Sequence, residues 1–381
     1  MEFVVPSINK FGAGCIKEIG DLSTSLDLKN ALIVTDKNLN KLGLVDFVTR
    51  ELERADVAYT IYDDVQPNPT RKNVEEAVAL YHQSGCDYII GIGGGSPNDC
   101  SKAVGIVVSN GGDIVDYEGF NQSKSKAPIT FLVNTTAGTA SEISRAYLIS
   151  DDRRVEKLIF KDINALPYAS FNDPEMMTGL PASITAGTGM DALTHAVESY
   201  VTPGAYPLTQ KLSLDAIEFI FENLEAVIGD PQNIELRENM IYAQSLAGMA
   251  FCNAGLGLVH SMAHQLGAVY NLPHGLCNAI ILPTVMRYNA TVVMEKYAEI
   301  SRRLYGDKVK NLSTEEQGHT FINEVENLSE RVKTKIALTE LGVKLEDLEL
   351  LAEKTLKDGN LAKNPIQPSK EDIINLFEGL L

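Results

Sequence analysis

The first half of the chain alternates short apolar runs with segments of helical period. Ala31-Leu32-Ile33-Val34-Thr35, Asp87-Tyr88-Ile89-Ile90-Gly91-Ile92 and Ile129-Thr130-Phe131-Leu132-Val133 read as buried strands. Ala58-Tyr59-Thr60-Ile61-Tyr62 reads as a further short one. Between them, Val45–Ala55 and Asn73–Ser84 carry apolar residues every three to four positions, the spacing of an amphipathic helix. Apolar strands separated by helices predict a parallel sheet with helices on both faces.

From about Pro181 onward the period is helical almost throughout. Ala192–Val201, Lys211–Ile228, Leu236–Phe251 and Val293–Leu304 are the clearest cases. The expected fold is therefore a Rossmann-like α/β N-terminal domain, residues 1–180, followed by an all-α C-terminal domain, residues 181–381. Gly179-Leu180-Pro181 punctuates the chain between them. The cleft between two such domains is the natural place for a site.

Composition narrows the function classes. At roughly 150 residues per domain, 381 residues suit two domains, and 44% hydrophobic residues exclude wholesale disorder. The net charge of −18 disfavours nucleic acid and anionic membranes as partners, because the protein's field repels both. Cys15, Cys86, Cys100, Cys252 and Cys277 are odd in number and form no CxxC pair. That argues against a disulfide framework or a thiolate zinc site and favours a reducing, cytoplasmic setting. The start, MEFVVPSINKFGAG, lacks the basic and apolar regions of a signal peptide, so none is expected. No apolar run reaches about 18 residues, so no membrane span is expected.

Candidate chemistry lies in both halves. Gly91-Ile92-Gly93-Gly94-Gly95-Ser96-Pro97-Asn98-Asp99 follows a strand and opens a helix. Consecutive glycines let main-chain N–H groups approach an anion, and the positive end of the helix faces it. The spacing is neither the usual dinucleotide fingerprint nor a P-loop. Asp36 ends the first strand, where a carboxylate accepts hydrogen bonds from an adenosine ribose and repels a 2′-phosphate; an isolated Asp there also serves as a helix cap. Asn134-Thr135-Thr136-Ala137-Gly138-Thr139-Ala140-Ser141-Glu142 is rich in small and hydroxyl side chains, as a cofactor-contacting loop would be, or a plain polar turn.

In the second half, Asp191 and His195 stand at i and i+4, and His260 and His264 repeat that spacing. His274 follows Pro273 at a turn or helix start. Asp191, His195, His260 and His274 can supply one carboxylate and three imidazoles, a set suited to Fe2+ or Zn2+. A zincin-type hydrolase is disfavoured because Ser261 stands where its general base would be. His82 and His319 lie in polar helical contexts and receive no role.

Taken in order, IVTDKNL, QPNPT, GIGGGSPNDCSKA, NTTAGTASE, GMDALTHAVESYV and GLGLVHSMAHQLGAVYNLPHG resemble the iron-containing, or group III, alcohol dehydrogenases over nearly the whole chain. The lactaldehyde reductase, 1,3-propanediol dehydrogenase and methanol dehydrogenase branches are the most similar. The resemblance implies that Asp191, His195, His260 and His274 hold Fe2+, with Zn2+ an alternative. It implies NAD as cofactor, its pyrophosphate on Gly94, Gly95 and Ser96 and its adenosine ribose near Asp36. Asn68, Thr135, Thr136, Thr139 and Lys157 match further cofactor contacts. His264 matches a proton-relay position and Phe251 a substrate-pocket position. The implied reaction is hydride transfer between NAD(H) and a small primary alcohol, diol or aldehyde, with the metal as Lewis acid, in a homo-oligomer. Asn134, Thr284 and Ile366 depart from residues common in the family, and Ile366 replaces a frequent Arg at the pocket rim. Rival readings are a glycerol-dehydrogenase-like or dehydroquinate-synthase-like enzyme of the same architecture, or a non-catalytic nucleotide-binding module.

Overall fold

A computed structural model of the chain describes residues 2–151, 153 and 156–381. Two compact units are present, one spanning Val4–Gly179 and the other built mainly from Leu180–Leu381.

The first unit centres on a six-stranded sheet. Its strands are β1 (Ile8–Phe11), β2 (Asn30–Val34), β3 (Ala58–Tyr62), β4 (Tyr88–Gly93), β6 (Thr130–Asn134) and β9 (Ala169–Asn172), in the order β1-β9-β6-β4-β2-β3 and all parallel. Strand pleating sends successive side chains to opposite faces. Ala31 and Ile33 of β2 therefore pack with α1 (Ile19–Ser25) and α3 (Leu44–Arg54), through Ile19, Val45, Val48 and Leu52. Leu32 and Val34 pack on the other face with α4 (Arg71–Ser84) and α5 (Gly95–Asn110). The helix-covered parallel sheet is as the hydrophobic pattern predicts. A short α2 (Lys37–Lys41), not anticipated, precedes α3.

A second sheet departs from the expectation of parallel pairing alone. β7 (Ala146–Asp151) and β8 (Glu156–Lys161) are antiparallel, and the two-residue β5 (Gly119–Phe120) joins β8 in parallel. Alternate residues of β7 are buried, and Tyr147 stacks on Phe160 with ring centroids 4.8 Å apart. The hairpin thus covers its core with one face, as antiparallel sheets do.

The second unit is helical: α6 (Ala182–Val201), α7 (Pro207–Gly229), α8 (Ile234–Ala254), α9 (Leu258–Tyr270), α10 (His274–Tyr305), α11 (Thr314–Arg331), α12 (Leu348–Thr355) and α13 (Lys370–Glu378). From Gly189 to Val201, α6 is buried on all sides, which marks a core helix. It starts ten residues earlier than the periodicity indicates. Gly187 and Gly189 blur the pattern, and a neighbour presses against the second: a Cβ on Gly189 would lie 2.3 Å from Leu224 Cδ1 of α7. α10 is also longer than predicted, with Pro283 inside it and a non-helical Val293. No single helix among the described residues is long and apolar enough to cross a membrane.

Candidate functional site

Asp36 and the glycine turn lie at the carboxyl ends of adjacent strands, β2 and β4. The chain leaves β2 toward β3 and leaves β4 toward β6, in opposite directions across the sheet. Such a switch point is where open α/β sheets bind ligands. A pocket of about 310 Å3 is lined there by Asp36, Asp63, Asp64, Gly94, Gly95 and Ser96, among others.

The turn is shaped for close main-chain approach. α5 begins at Gly95, and its N-cap Gly94 has no side chain to cap the first turn. A helix start of this kind leaves N–H groups for an outside acceptor. A Cβ on Gly94 would lie 2.9 Å from Thr136 Oγ1, and one on Gly95 would lie 3.1 Å from Thr139 Cγ2. Thr136 Oγ1 is buried and has no hydrogen-bond partner within the protein. Glycines crowded by hydroxyl side chains, one of them unsatisfied, fit a phosphate-bearing cofactor.

The loop after β6 is tied to this turn. Thr135 N donates to Gly93 O at 3.1 Å, and Asn134 Oδ1 accepts from Thr136 N at 3.1 Å. Two residues of α5 that the sequence reading did not single out hold the far end of the loop. Asp99 accepts from Ser141 Oγ at 2.6 Å, and the buried Lys102 ammonium donates to Ser141 O at 2.8 Å and Ala146 O at 2.5 Å. Their i, i+3 spacing beside the glycines was the available signal.

Asp36 serves as the helix cap weighed for it and stands where the proposed ribose contact would be. It lines the pocket, and its Oδ1 accepts from Asn38 N and Leu39 N at 2.8 and 3.0 Å as the cap of α2. Asn68 holds a left-handed backbone (φ 59°) and accepts from Lys157 Nζ at 3.0 Å.

In the helical unit, Asp191, His195, His260 and His274 converge. One ligand atom from each lies within 4.8 Å of the others. Asp191 Oδ1 is 4.0 Å from His195 Nε2, 3.8 Å from His260 Nε2 and 3.7 Å from His274 Nε2. Donors bonded to one tetrahedral ion at about 2.0–2.2 Å would lie roughly 3.3–3.6 Å apart, so the distances from Asp191 Oδ1 are close to those of a bound ion and the widest pair would draw in further. Three helices supply it: α6 gives Asp191 and His195, α9 gives His260, and α10 opens with His274. The first three are buried, while the His274 side chain keeps 25% exposure. A buried carboxylate among three imidazole Nε2 atoms fits a divalent first-row metal.

The surroundings are specific. Phe251 stacks on His195, ring centroids 4.4 Å apart, and so walls one side of the cluster. Asn278, one turn after His274, donates from Nδ2 to Asp191 Oδ1 at 2.6 Å. Glu198 Oε2 lies 2.6 Å from His260 Nδ1. Burial alone would lower the affinity of the His260 imidazole for a proton, but the Glu198, Asp191 and Asp358 carboxylates together outweigh it and raise the pKa, Glu198 most. His264, the fourth histidine here, stands beside the cluster rather than in it. Its ring stacks toward His274 at 5.4 Å, and its Nδ1 meets Asp358 Oδ2 at 2.7 Å. Burial pushes the Asp358 carboxyl up, but His264, Asn360 N and Ser261 Oγ together hold it below the usual carboxylate value. The sequence reading missed Glu198, Asn278 and Asp358. Glu198 at i+7 from Asp191 and Asn278 at i+4 from His274 shared helix faces with ligands, which was a usable signal.

The two halves of the chain match separate family models. Residues 6–174 match the iron-containing alcohol dehydrogenase model, and residues 185–381 match the C-terminal model of the Fe-containing alcohol dehydrogenase family. The chain is 42% identical over 378 residues to a 1,3-propanediol dehydrogenase of Klebsiella pneumoniae, covering 99% of this chain and 97% of that one. It is 42% identical over 370 residues to the lactaldehyde reductase of Escherichia coli K12, covering 96% of each. The solved alcohol dehydrogenase from Oenococcus oeni superposes with a TM-score of 0.97 at 40% identity, over 100% of both chains.

Proposed function

The chain belongs to the iron-containing alcohol dehydrogenase family and is an NAD-linked, metal-dependent oxidoreductase; from that premise we propose that it interconverts small primary alcohols or diols with their aldehydes. The observation that carries the reading is the convergence of Asp191, His195, His260 and His274 on one point. Relatives named for 1,3-propanediol and lactaldehyde support short, hydroxylated substrates.

When bound, the ion stabilises negative charge on the substrate oxygen and NAD carries the hydride. The protein's own groups do the rest. Asp191, His195, His260 and His274 hold the ion. Gly94, Gly95 and Ser96 offer first-turn amides to the pyrophosphate, and Asp36 accepts from the adenosine ribose. Thr135, Thr136, Thr139, Asn68 and Lys157 complete the cofactor contacts. Phe251 gives the substrate an apolar wall and excludes water. His264, fixed at Nδ1 by Asp358, presents Nε2 to take up or return the substrate proton.

The reading includes functional regions at residues 1–180 and 181–381, supported by the compact units and by the break between the family models. It also includes a cytoplasmic homo-oligomer. Five buried free thiols suit a reducing compartment, and native mass measurement tests the assembly.

The decisive experiment follows nicotinamide absorbance with Fe2+-loaded protein, NADH and a panel of short aldehydes and hydroxyaldehydes. Turnover of several is expected. No NADH consumption with any of them, after loading with Fe2+ or Zn2+, overturns the reading.

A further inference from the structure

Glu198 lies on α6 seven residues after Asp191 and three after His195, so all three share one face of the helix. It is 4% exposed. Its two oxygens meet two neighbours on α9. Oε1 accepts from Val259 N at 2.7 Å, and Oε2 lies 2.6 Å from His260 Nδ1.

The chemistry of these partners leaves one arrangement. A main-chain N–H can only donate, and a carboxylate can only accept. The close contact to Nδ1 therefore requires that this nitrogen carry a proton. In a neutral imidazole the lone pair then sits on Nε2, the atom that faces Asp191 Oδ1 at 3.8 Å. A carboxylate is the group that serves both donors at once. An amide of the same shape serves only one: its oxygen can face Val259 N or His260 Nδ1, and its NH2 then opposes the other donor. Glu198 also brings a second buried negative charge beside that of Asp191, and together the two match the charge of a divalent ion. Orienting carboxylates behind metal-bound histidines raise affinity in this way.

We propose that Glu198 is a positioning residue for the metal, fixing the His260 tautomer and ring so that the site binds a divalent ion tightly. The inference rests on the four-ligand reading above, and its test separates the two. Zn2+ is titrated into the metal-stripped full-length protein against a chromogenic chelator, for wild type, Glu198→Gln and Glu198→Asp. Helical circular dichroism and NADH binding report folding. Glu198→Gln should bind Zn2+ about 10–100-fold more weakly with both folding readouts unchanged. Glu198→Asp keeps two acceptor oxygens on a shorter stem and should fall between wild type and Gln.

Equal Zn2+ affinity in wild type and Glu198→Gln overturns the role of Glu198 and leaves the ligand set standing. Failure of wild type to bind Zn2+ tightly overturns both. If Glu198→Gln does not fold, Glu198→Asp decides alone: a loss of about tenfold supports the role, and wild-type affinity overturns it.

Discussion

The pocket at the end of β4 and the cluster on α6, α9 and α10 solve the binding of charge by different means. The first presents main-chain N–H groups and depends on what its residues lack: Gly94 and Gly95 have no side chain between the amides and Thr136 or Thr139. The second is made of side-chain atoms, with Glu198 against His260 and Asn278 against Asp191, and with Asp358 holding the neighbouring His264. A main-chain site should fail by obstruction, and a side-chain site by loss of a donor. The two failures should also be separable, cofactor affinity in one case and metal affinity in the other.

The largest effect is expected from deleting a ligand. His260→Ala should abolish tight metal binding and lower turnover by about 1,000-fold or more, since Lewis-acid stabilisation is worth several kcal/mol. NADH binding should stay within about twofold of wild type, a change of only ~0.4 kcal/mol. Dialysed His260→Ala protein that keeps full metal content and activity would falsify the ligand assignment. Weakened NADH binding would instead break the separation between the two sites.

Gly94→Val tests the converse. Its Cβ would lie 2.9 Å from Thr136 Oγ1 and its methyl groups would fill the cradle. NADH affinity should fall roughly 100-fold, or ~2.7 kcal/mol, while Zn2+ affinity holds. Calorimetric titration of both ligands on one preparation reads the two numbers. Wild-type NADH affinity in this variant would move the pyrophosphate elsewhere.

The difference between the regions also governs what the amino-acid sequence reveals. The glycine turn is local, so its strand, turn and helix can be read in one stretch of chain. The i, i+4 pairs Asp191/His195 and His260/His264 pointed to the region where Asp191, His195, His260 and His274 converge, although His264 stands beside that cluster. Their supports were harder to see: Glu198 meets His260 across 62 residues and Asp358 meets His264 across 94. Spacing can place Glu198 on the same face of α6 as Asp191, but it carries no signal for the pairing with His260, because tertiary packing creates that pairing. The strands show the same divide. β3 runs over Ala58–Tyr62, as its apolar pattern indicates, but β1 and β9 are four-residue strands that include Asn9, Lys10, Ser170 and Asn172. Their pairing partners lie about 160 residues apart in the chain, Ile8 with Ala169 and Phe11 with Asn172. The β7–β8 hairpin gave no alternating signal: its residues alternate in burial, but Tyr147-Leu148-Ile149 and Leu158-Ile159-Phe160 are short unbroken apolar runs in the sequence.

A moderate effect is expected at His264. Asp358→Asn keeps the side-chain shape but replaces a charged acceptor with a neutral one. General acid–base steps contribute about 100–10,000-fold, and the histidine itself remains, so kcat should fall roughly tenfold. Metal content should be unchanged, because His264 lies outside the ligand set. Loss of metal from Asp358→Asn would show that the two histidines of α9 act as one unit, and would blur the line between ligand and relay.

The smallest effect belongs to Asp36, where the main-chain site borrows one charge. Its carboxylate lines the pocket and also caps α2, so a simple deletion confounds two roles. Asp36→Asn separates them, because Asn caps a helix start as well as Asp does but carries no charge to repel a 2′-phosphate. The preference for NAD over NADP, read as the ratio of kcat/KM values, should fall by about fivefold, or ~1 kcal/mol. It should not vanish. Asp63 and Asp64 also line the pocket, and the Lys37 ammonium is paired with Asp64 at 2.6 Å rather than free to meet a phosphate. Asp36→Ala should shift the ratio equally and also cost about 1 kcal/mol of stability through the lost cap. Raising the salt should shrink the wild-type preference, since an exposed charge is screened. If Asp36→Asn leaves the ratio untouched while Asp36→Ala changes it, Asp36 acts by placing α2, and discrimination is a matter of main-chain shape here as well.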